Sequence, residues 1–168
     1  GETVITIDPA DARDFDDAIS LTEHGDGTVT LGVHIADVAH FVQEGTRLDE
    51  EARERGTSVY LPTTVVPMLP EVLSNGVCSL QEGRTRLTKS AFIRLSSDGE
   101  PIGVDLANSF IRSVKRLTYE QASAVVEGKT DGLPPNVVAL LQAMDRLART
   151  LLARRRSEGY LELDLPEV

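Results

Sequence analysis

Asp8, Asp14, Asp16 and Asp17 crowd one short stretch, ITIDPADARDFDDAI, and their spacing is the strongest chemical signal in the chain. Carboxylates this close repel, and one or more would take up a proton unless cations compensate. Magnesium is the natural cation: hard, oxygen-loving, and content with a few carboxylates, waters and substrate phosphate oxygens. Two such ions about 3.5–4 Å apart can activate an attacking water and stabilise the leaving oxygen of a phosphodiester. Spacing alone points to a hard-metal site and names no polymer.

Three other uses of the cluster can be weighed. A calcium loop of the EF-hand kind needs D-x-[DN]-x-[DN]-G and a distal glutamate, a pattern absent here. A glycosidase needs a carboxylate pair, not four aspartates side by side. A solvated acidic turn would not ordinarily hold Phe15 between strand-like segments on both sides. The net charge of −10 argues against a nucleic-acid partner, because phosphate-binding surfaces are basic. That objection weakens once the charge is located. From Asp8 to Asp26 the acids are Asp8, Asp11, Asp14, Asp16, Asp17, Glu23 and Asp26, with Arg13 as the only arginine or lysine among them. Bound cations invert the field of such a patch.

The elements that must position these residues follow from patterning. Val4, Ile5 and Ile7 form a β-branched run that ends at Asp8-Pro9, which puts Asp8 on a rigid strand end. Ala18 to Thr22 and Thr28 to Ile35 read as a hairpin around Gly25-Asp26-Gly27. In its second arm Val29, Leu31, Val33 and Ile35 alternate with polar or small residues, His34 lying on the opposite face near Asp37. Both His34 and Asp37 are expected to be structural. Thr46 caps a helix from Arg47 to Arg55 closed by Gly56. Ser58 to Leu61 is a strand, after which Pro62, Pro67 and Pro70 argue against regular structure. Leu87 to Leu95 and Ile102 to Ile111 make a second hairpin around Ser97-Asp98-Gly99. Thr118 with Gln121 forms a capping box for a helix reaching Val126. The last helix runs from Pro135 to Ser157 on Val137, Leu140, Leu141, Met144, Leu147, Leu151 and Leu152. Arg154, Arg155 and Arg156 suit its negative end as a solvated terminus. Strand hairpins plus helices without regular alternation indicate an α+β fold, with antiparallel hairpins forming a sheet or partial barrel packed by helices.

At 168 residues, 40% hydrophobic and 26% charged, the chain has the makings of an ordinary globular domain. No apolar run approaches the about 18 residues a membrane span needs, so no membrane partner is expected. The single cysteine, Cys78, excludes an internal disulfide and a multi-cysteine zinc site. It is expected in the core and fits a cytoplasmic location. Gly1 enters a strand almost at once, and LDLPEV breaks off after a new apolar segment begins, so both ends are expected to be cuts from something larger.

The stretch ITIDPADARDFDDAISL resembles the catalytic signature of the ribonuclease II and ribonuclease R family, the RNB domain. The resemblance continues through LGVHIADVAHFV, SVYLPTTVVPMLPEVLSNGVCSL, RLTYEQ and GYLELDLPE, spanning nearly the whole chain in register, with a ribonuclease R-like character. It implies a processive 3′→5′ exoribonuclease that uses magnesium, as one ion or two and with manganese as a substitute, and releases nucleoside 5′-monophosphates from the 3′ end of single-stranded RNA. It implies that Asp8 and Asp17 hold a metal bridging to the scissile phosphate, that Asp16 is the most sensitive catalytic carboxylate, and that Asp14 completes the site. Asp11 falls outside that set as a loop or capping residue. Tyr60, in VYLP, would stack near the 3′-terminal nucleotides and help set the length of the final product. Tyr119, in LTYEQ, would position the terminal nucleotide. The residue-level alternative for each tyrosine is amphipathic core packing. The resemblance further implies that residues 1–168 are the N-terminal part of a single, monomeric RNB-type domain, truncated at its C-terminal side before an arginine-rich segment. Two rival readings remain: a catalytically incomplete or degenerate module that binds RNA or protein, and a calcium-binding structural module.

Overall fold

A computed structural model of the chain describes residues 2–130 and 132–160. In chain order the elements are β1 (Ile5–Asp8), β2 (Asp17–Glu23), β3 (Val29–Ala36), α1 (Val38–Phe41), α2 (Arg47–Arg55), β4 (Val59–Leu61) and β5 (Thr64–Val66). A π-helical turn (Val72–Val77) follows, then β6 (Thr85–Leu95), β7 (Pro101–Arg112), β8 (Lys115–Thr118), α3 (Tyr119–Val126) and α4 (Pro135–Ser157). Most of the GYLELDLPE motif, 161–167, lies outside the described residues.

Six strands form one open sheet in the order β7-β6-β3-β2-β1-β8, and β4 pairs with β5 apart from it. Neighbours are antiparallel except β1 and β8, which run parallel with Asp8 beside Thr118. The expected α+β class holds, in the form of a sheet with two ends instead of a barrel. Both expected hairpins are present, turning at Gly27 and Gly99 with φ of 80° and 76°. Glycine enters that region without a Cβ penalty. The predicted helix ends also hold. Thr46 Oγ1 accepts from the Asp49 amide, and Gly56 closes α2 at φ 70°, while Thr118 with Gln121 forms the capping box of α3. The two N-caps satisfy amides that the first turn leaves open, and the Gly56 amide satisfies the Ala52 carbonyl in the last turn.

Successive residues of a strand face opposite sides, and the core divides accordingly. On one face Ile5 and Leu117 are fully buried against Val125, Val137, Leu140 and Leu141 of α3 and α4. On the other, Val4, Ala18, Ala36, Cys78, Leu80 and Ile111 cluster, with Phe15, Val38 and Leu73 packed against them. Each large aliphatic side chain so buried contributes about 1.5–3 kcal/mol. The helices cover the β8-β1-β2 end of the sheet, whereas Leu106 and Phe110 on β7 stay 80% and 74% exposed.

Three details depart from the sequence reading. The prolines around residue 66 do not abolish regular structure. They flank β5 without entering it, so its pairing with β4 loses no donor, and a π-helical turn forms after Pro70. The short β8 carries no signal in the sequence, because four residues show no period and the strand exists through its pairing with β1. Along β3 the buried face is that of Gly32, His34 and Ala36, while Ile35 on the apolar face is 46% exposed. Among the described residues no helix is long and apolar enough to cross a membrane.

Candidate active site

Asp8 is the last residue of β1 and Asp17 the first of β2, and antiparallel pairing of these strands (Ile5 beside Ile19) brings both to one end of the sheet. Asp14 and Asp16 lie in the loop between them. That loop is held at several points. The Ser79 hydroxyl accepts from the Phe15 amide at 3.1 Å and donates to the Arg13 carbonyl at 2.8 Å. The Leu80 amide donates to the Phe15 carbonyl at 2.9 Å, and the Ala36 amide to the Asp16 carbonyl at 2.9 Å. Phe15 packs its ring on the core beneath, as its place among the acids predicts. Arg116, from β8, lies over that ring and donates through Nη2 to the carbonyls of Pro9 and Ala10.

The four carboxylates share one electrostatic neighbourhood. Partial burial raises the Asp8 pKa from its ordinary value, and the charges of Asp17 and Asp16 add to the rise, while the Thr6 hydroxyl and Arg116 pull the other way. Burial likewise raises Asp16, with Asp14 and Asp17 as the contributing charges. One oxygen of Asp8, Oδ2, is buried without a well-formed hydrogen bond among the described residues, and the neighbouring Thr6 hydroxyl and Arg116 Nε are unpaired in the same way. An orphaned carboxylate oxygen amid like charges fits a cation. Among the described residues, however, no three acids, histidines or cysteines stand close enough to hold one ion together. The donor chemistry fits magnesium, and a common shell requires some adjustment of side chains.

Asp14 and Asp16 line a cavity of about 910 Å³ together with Tyr60, Val65 and Met68 of the β4–β5 hairpin region. That hairpin is fixed by Arg55, which donates to the Pro67 carbonyl at 3.1 Å, and by the Met68 amide, which donates to Ser58 Oγ at 2.9 Å. Tyr60 is 72% and Tyr119 58% exposed, so neither is a core aromatic. Tyr60 shares the cavity with Asp14 and Asp16, which Asp8 and Asp17 do not line; Tyr119 does not line it either, but follows Thr118, the strand partner of Asp8.

His34 and Asp37 serve the scaffold. The His34 ring is buried, with Nε2 3.1 Å from Ser20 Oγ and Nδ1 2.8 Å from Ser90 Oγ. Asp37 caps α1 by accepting from the His40 amide and pairs with Lys89 at 3.2 Å. Cys78 is buried in the core, and burial pushes its thiol pKa up, so it stays protonated and packs. Asp11 sits exposed in a turn. Sequence reasoning missed Ser79 and Arg116. Neither carries a period or a charge cluster, and their partners lie 64 to 107 positions away.

Residues 1–168 match the RNB domain. The chain is 44% identical to ribonuclease R of Thermotoga maritima, over 99% of this chain and 24% of that protein. It spans about a quarter of the length of the curated relatives it matches. Its fold is similar to the structure of Mycoplasma genitalium RNase R in complex with ribose methylated single-stranded RNA, with a TM-score of 0.92 and 33% identity over 99% of this chain and 26% of that one. It is also similar to yeast Ssd1, a pseudonuclease, with a TM-score of 0.74 and 27% identity over 92% of this chain and 18% of that one.

Proposed function

Because the chain belongs to the RNB domain family, we propose that it carries the magnesium site of an exoribonuclease that degrades single-stranded RNA processively from the 3′ end to nucleoside 5′-monophosphates. The observation that carries this reading is that strand pairing and the loop between the strands bring Asp8, Asp14, Asp16 and Asp17 to one end of the sheet, where Asp14 and Asp16 line a cavity large enough for a nucleotide. Bound magnesium would polarise the scissile phosphate and lower the pKa of the attacking water. Asp8 and Asp17, anchored on strand ends, would hold one ion. Asp14 and Asp16, on the pinned loop, complete the site from the cavity side. Without a cation this carboxylate wall repels phosphate, so RNA engages the chemistry only when metal is present. Tyr60 offers its face to a base across the cavity, a contact indifferent to sequence because every base has a π-face. Tyr119 orients the terminal nucleotide beside Asp8.

Asp16→Asn tests the assignment. It should abolish mononucleotide release from end-labelled RNA while leaving RNA binding nearly intact, because the lost charge matters most in the transition state. Equal loss of binding and turnover would sink the assignment. A second reading, an RNA- or protein-binding module without catalysis, is favoured by the likeness to a pseudonuclease and by the absence of a ready three-acid shell among the described residues. The two separate when this chain and a form extended to the length of its relatives are given RNA with magnesium or manganese. Release of mononucleotides by the extended form supports the first reading, and binding without release by either form supports the second.

A further inference from the structure

We propose that Ser79 is a positioning residue for the metal site, acting through the backbone of Asp14; the inference rests on reading the aspartates as metal ligands. Ser79 is fully buried, and its hydroxyl makes two hydrogen bonds that matter as a pair. It donates to the carbonyl of Arg13, which belongs to the peptide unit before Asp14, and accepts from the amide of Phe15, which belongs to the unit after it. Peptide units are planar, so fixing the planes on both sides of a residue fixes its φ and ψ, and with them the direction of its Cα–Cβ bond. One oxygen atom therefore sets the bond that carries the Asp14 side chain, which lines the cavity.

Ser79 is itself held from behind. Arg86 of β6 donates through Nε to the Ser79 carbonyl at 2.9 Å, and through Nη2 to the Gly76 carbonyl at 3.1 Å and to Gln81 Oε1 at 3.2 Å. The adjacent Leu80 amide donates to the Phe15 carbonyl, so the segment after the π-helical turn runs beside the aspartate loop as a brace. Ser79 does not line the cavity and touches no ligand position. Its influence passes through the Asp14 backbone, as outer partners act on metal ligands generally.

The test measures manganese binding by calorimetry, alongside thermal melting and hydrolysis of single-stranded RNA, on the purified protein and its Ser79→Ala, Ser79→Cys and Asp14→Asn variants. Ser79→Ala should weaken manganese binding roughly tenfold, with the rate partly recovered by raising the metal concentration and KM for RNA unchanged. Ser79→Cys keeps the shape of the side chain but is bulkier and both donates and accepts weakly, and should fall between Ala and Ser. If Ser79→Ala does not fold, Ser79→Cys decides by the same measurement. A lower melting temperature with manganese affinity within twofold of the unsubstituted protein would overturn the proposal. Loss of affinity in Asp14→Asn alone removes Ser79 from the site and leaves the metal reading standing. No manganese binding by the unsubstituted protein removes both.

Discussion

The Arg116 guanidinium stands 5.4 Å from the centroid of the Phe15 ring, and through this pair β8 holds the aspartate loop at its two ends. The same side chain reaches the carbonyls of Pro9 and Ala10, immediately after Asp8, while Phe15 lies between Asp14 and Asp16. Arg116 also offsets the rise of the Asp8 pKa, so one cation serves both the shape and the charge of the loop. Glu82 steadies the strand behind it by accepting from the Arg116 amide at 3.0 Å and pairing with Lys115 at 3.1 Å.

Arg116→Met should keep the stem volume and lose every polar contact. On the proposed function, hydrolysis at fixed magnesium should fall about 10- to 100-fold, the range seen when outer partners of metal ligands are removed. Arg116→Lys should recover only part of this, because an ammonium can donate to the two carbonyls but cannot lie over Phe15 as the planar guanidinium does. Single-turnover rates with a circular-dichroism control check this; an unchanged rate in Arg116→Met refutes the clamp.

Gly32→Ala should be among the costliest small substitutions in the sheet. A Cβ there would collide with Ser20 Oγ and stand 2.9 Å from His34 Nε2, breaking the contact between those side chains. Overpacking and a lost buried hydrogen bond each cost about 1–3 kcal/mol. Denaturant unfolding should show a loss in that range. The double variant Gly32→Ala with Ser20→Ala should be less destabilised than the sum of its parts, since the collision partner is gone. Strict additivity would refute this account.

The case of Gly32 marks where sequence reasoning stops. Elements with a strong period or a cap are readable: α2 between Thr46 and Gly56, α4 from Pro135, and the hairpins at Gly27 and Gly99. Asp8 and Asp17 are readable as strand ends because apolar runs stop or start beside them. What faces what is less legible. The period of two in β3 suggests that Leu31, Val33 and Ile35 form the inner face, yet His34 is the buried residue, because Ser20 and Ser90 satisfy its ring from the neighbouring strands. Ser79, Arg116 and β8 escape notice for one reason: each is defined by a partner far along the chain, and composition carries no record of such pairings.

His34 should make stability fall as the solution is acidified. Burial lowers its pKa from the ordinary 6.5, partly offset by Glu2, while Ser20, Ser90 and Phe92 face the ring. With the folded-state pKa depressed, the neutral ring contributes stability that is fully present above about pH 6.5. The unfolded chain binds the proton more readily, so that contribution is lost as pH falls from there towards the folded-state pKa. Melting temperatures across pH 7.5 to 5 should show this slope, and His34→Gln, though less stable overall, should flatten it. An equal slope in both proteins would exclude His34 as the source.

Tyr60→Ala should separate binding from folding. The side chain is 72% exposed and pairs across the hairpin with Val65. Its removal should therefore shift stability by no more than about 0.5 kcal/mol. If Tyr60 stacks on a base across the cavity from Asp14 and Asp16, affinity for single-stranded RNA should drop by about 1–3 kcal/mol, or about 5- to 150-fold. Tyr60→Phe should bind almost normally, because stacking uses the ring face and not the hydroxyl. Binding is best read in an Asp16→Asn background, where RNA is not consumed, and product lengths on gels in the otherwise unsubstituted protein. On the proposed function, the final product should lengthen in Tyr60→Ala, since RNA would be released before its last nucleotides reach the aspartates. A melting temperature several degrees lower with normal RNA affinity would assign Tyr60 to the hairpin alone.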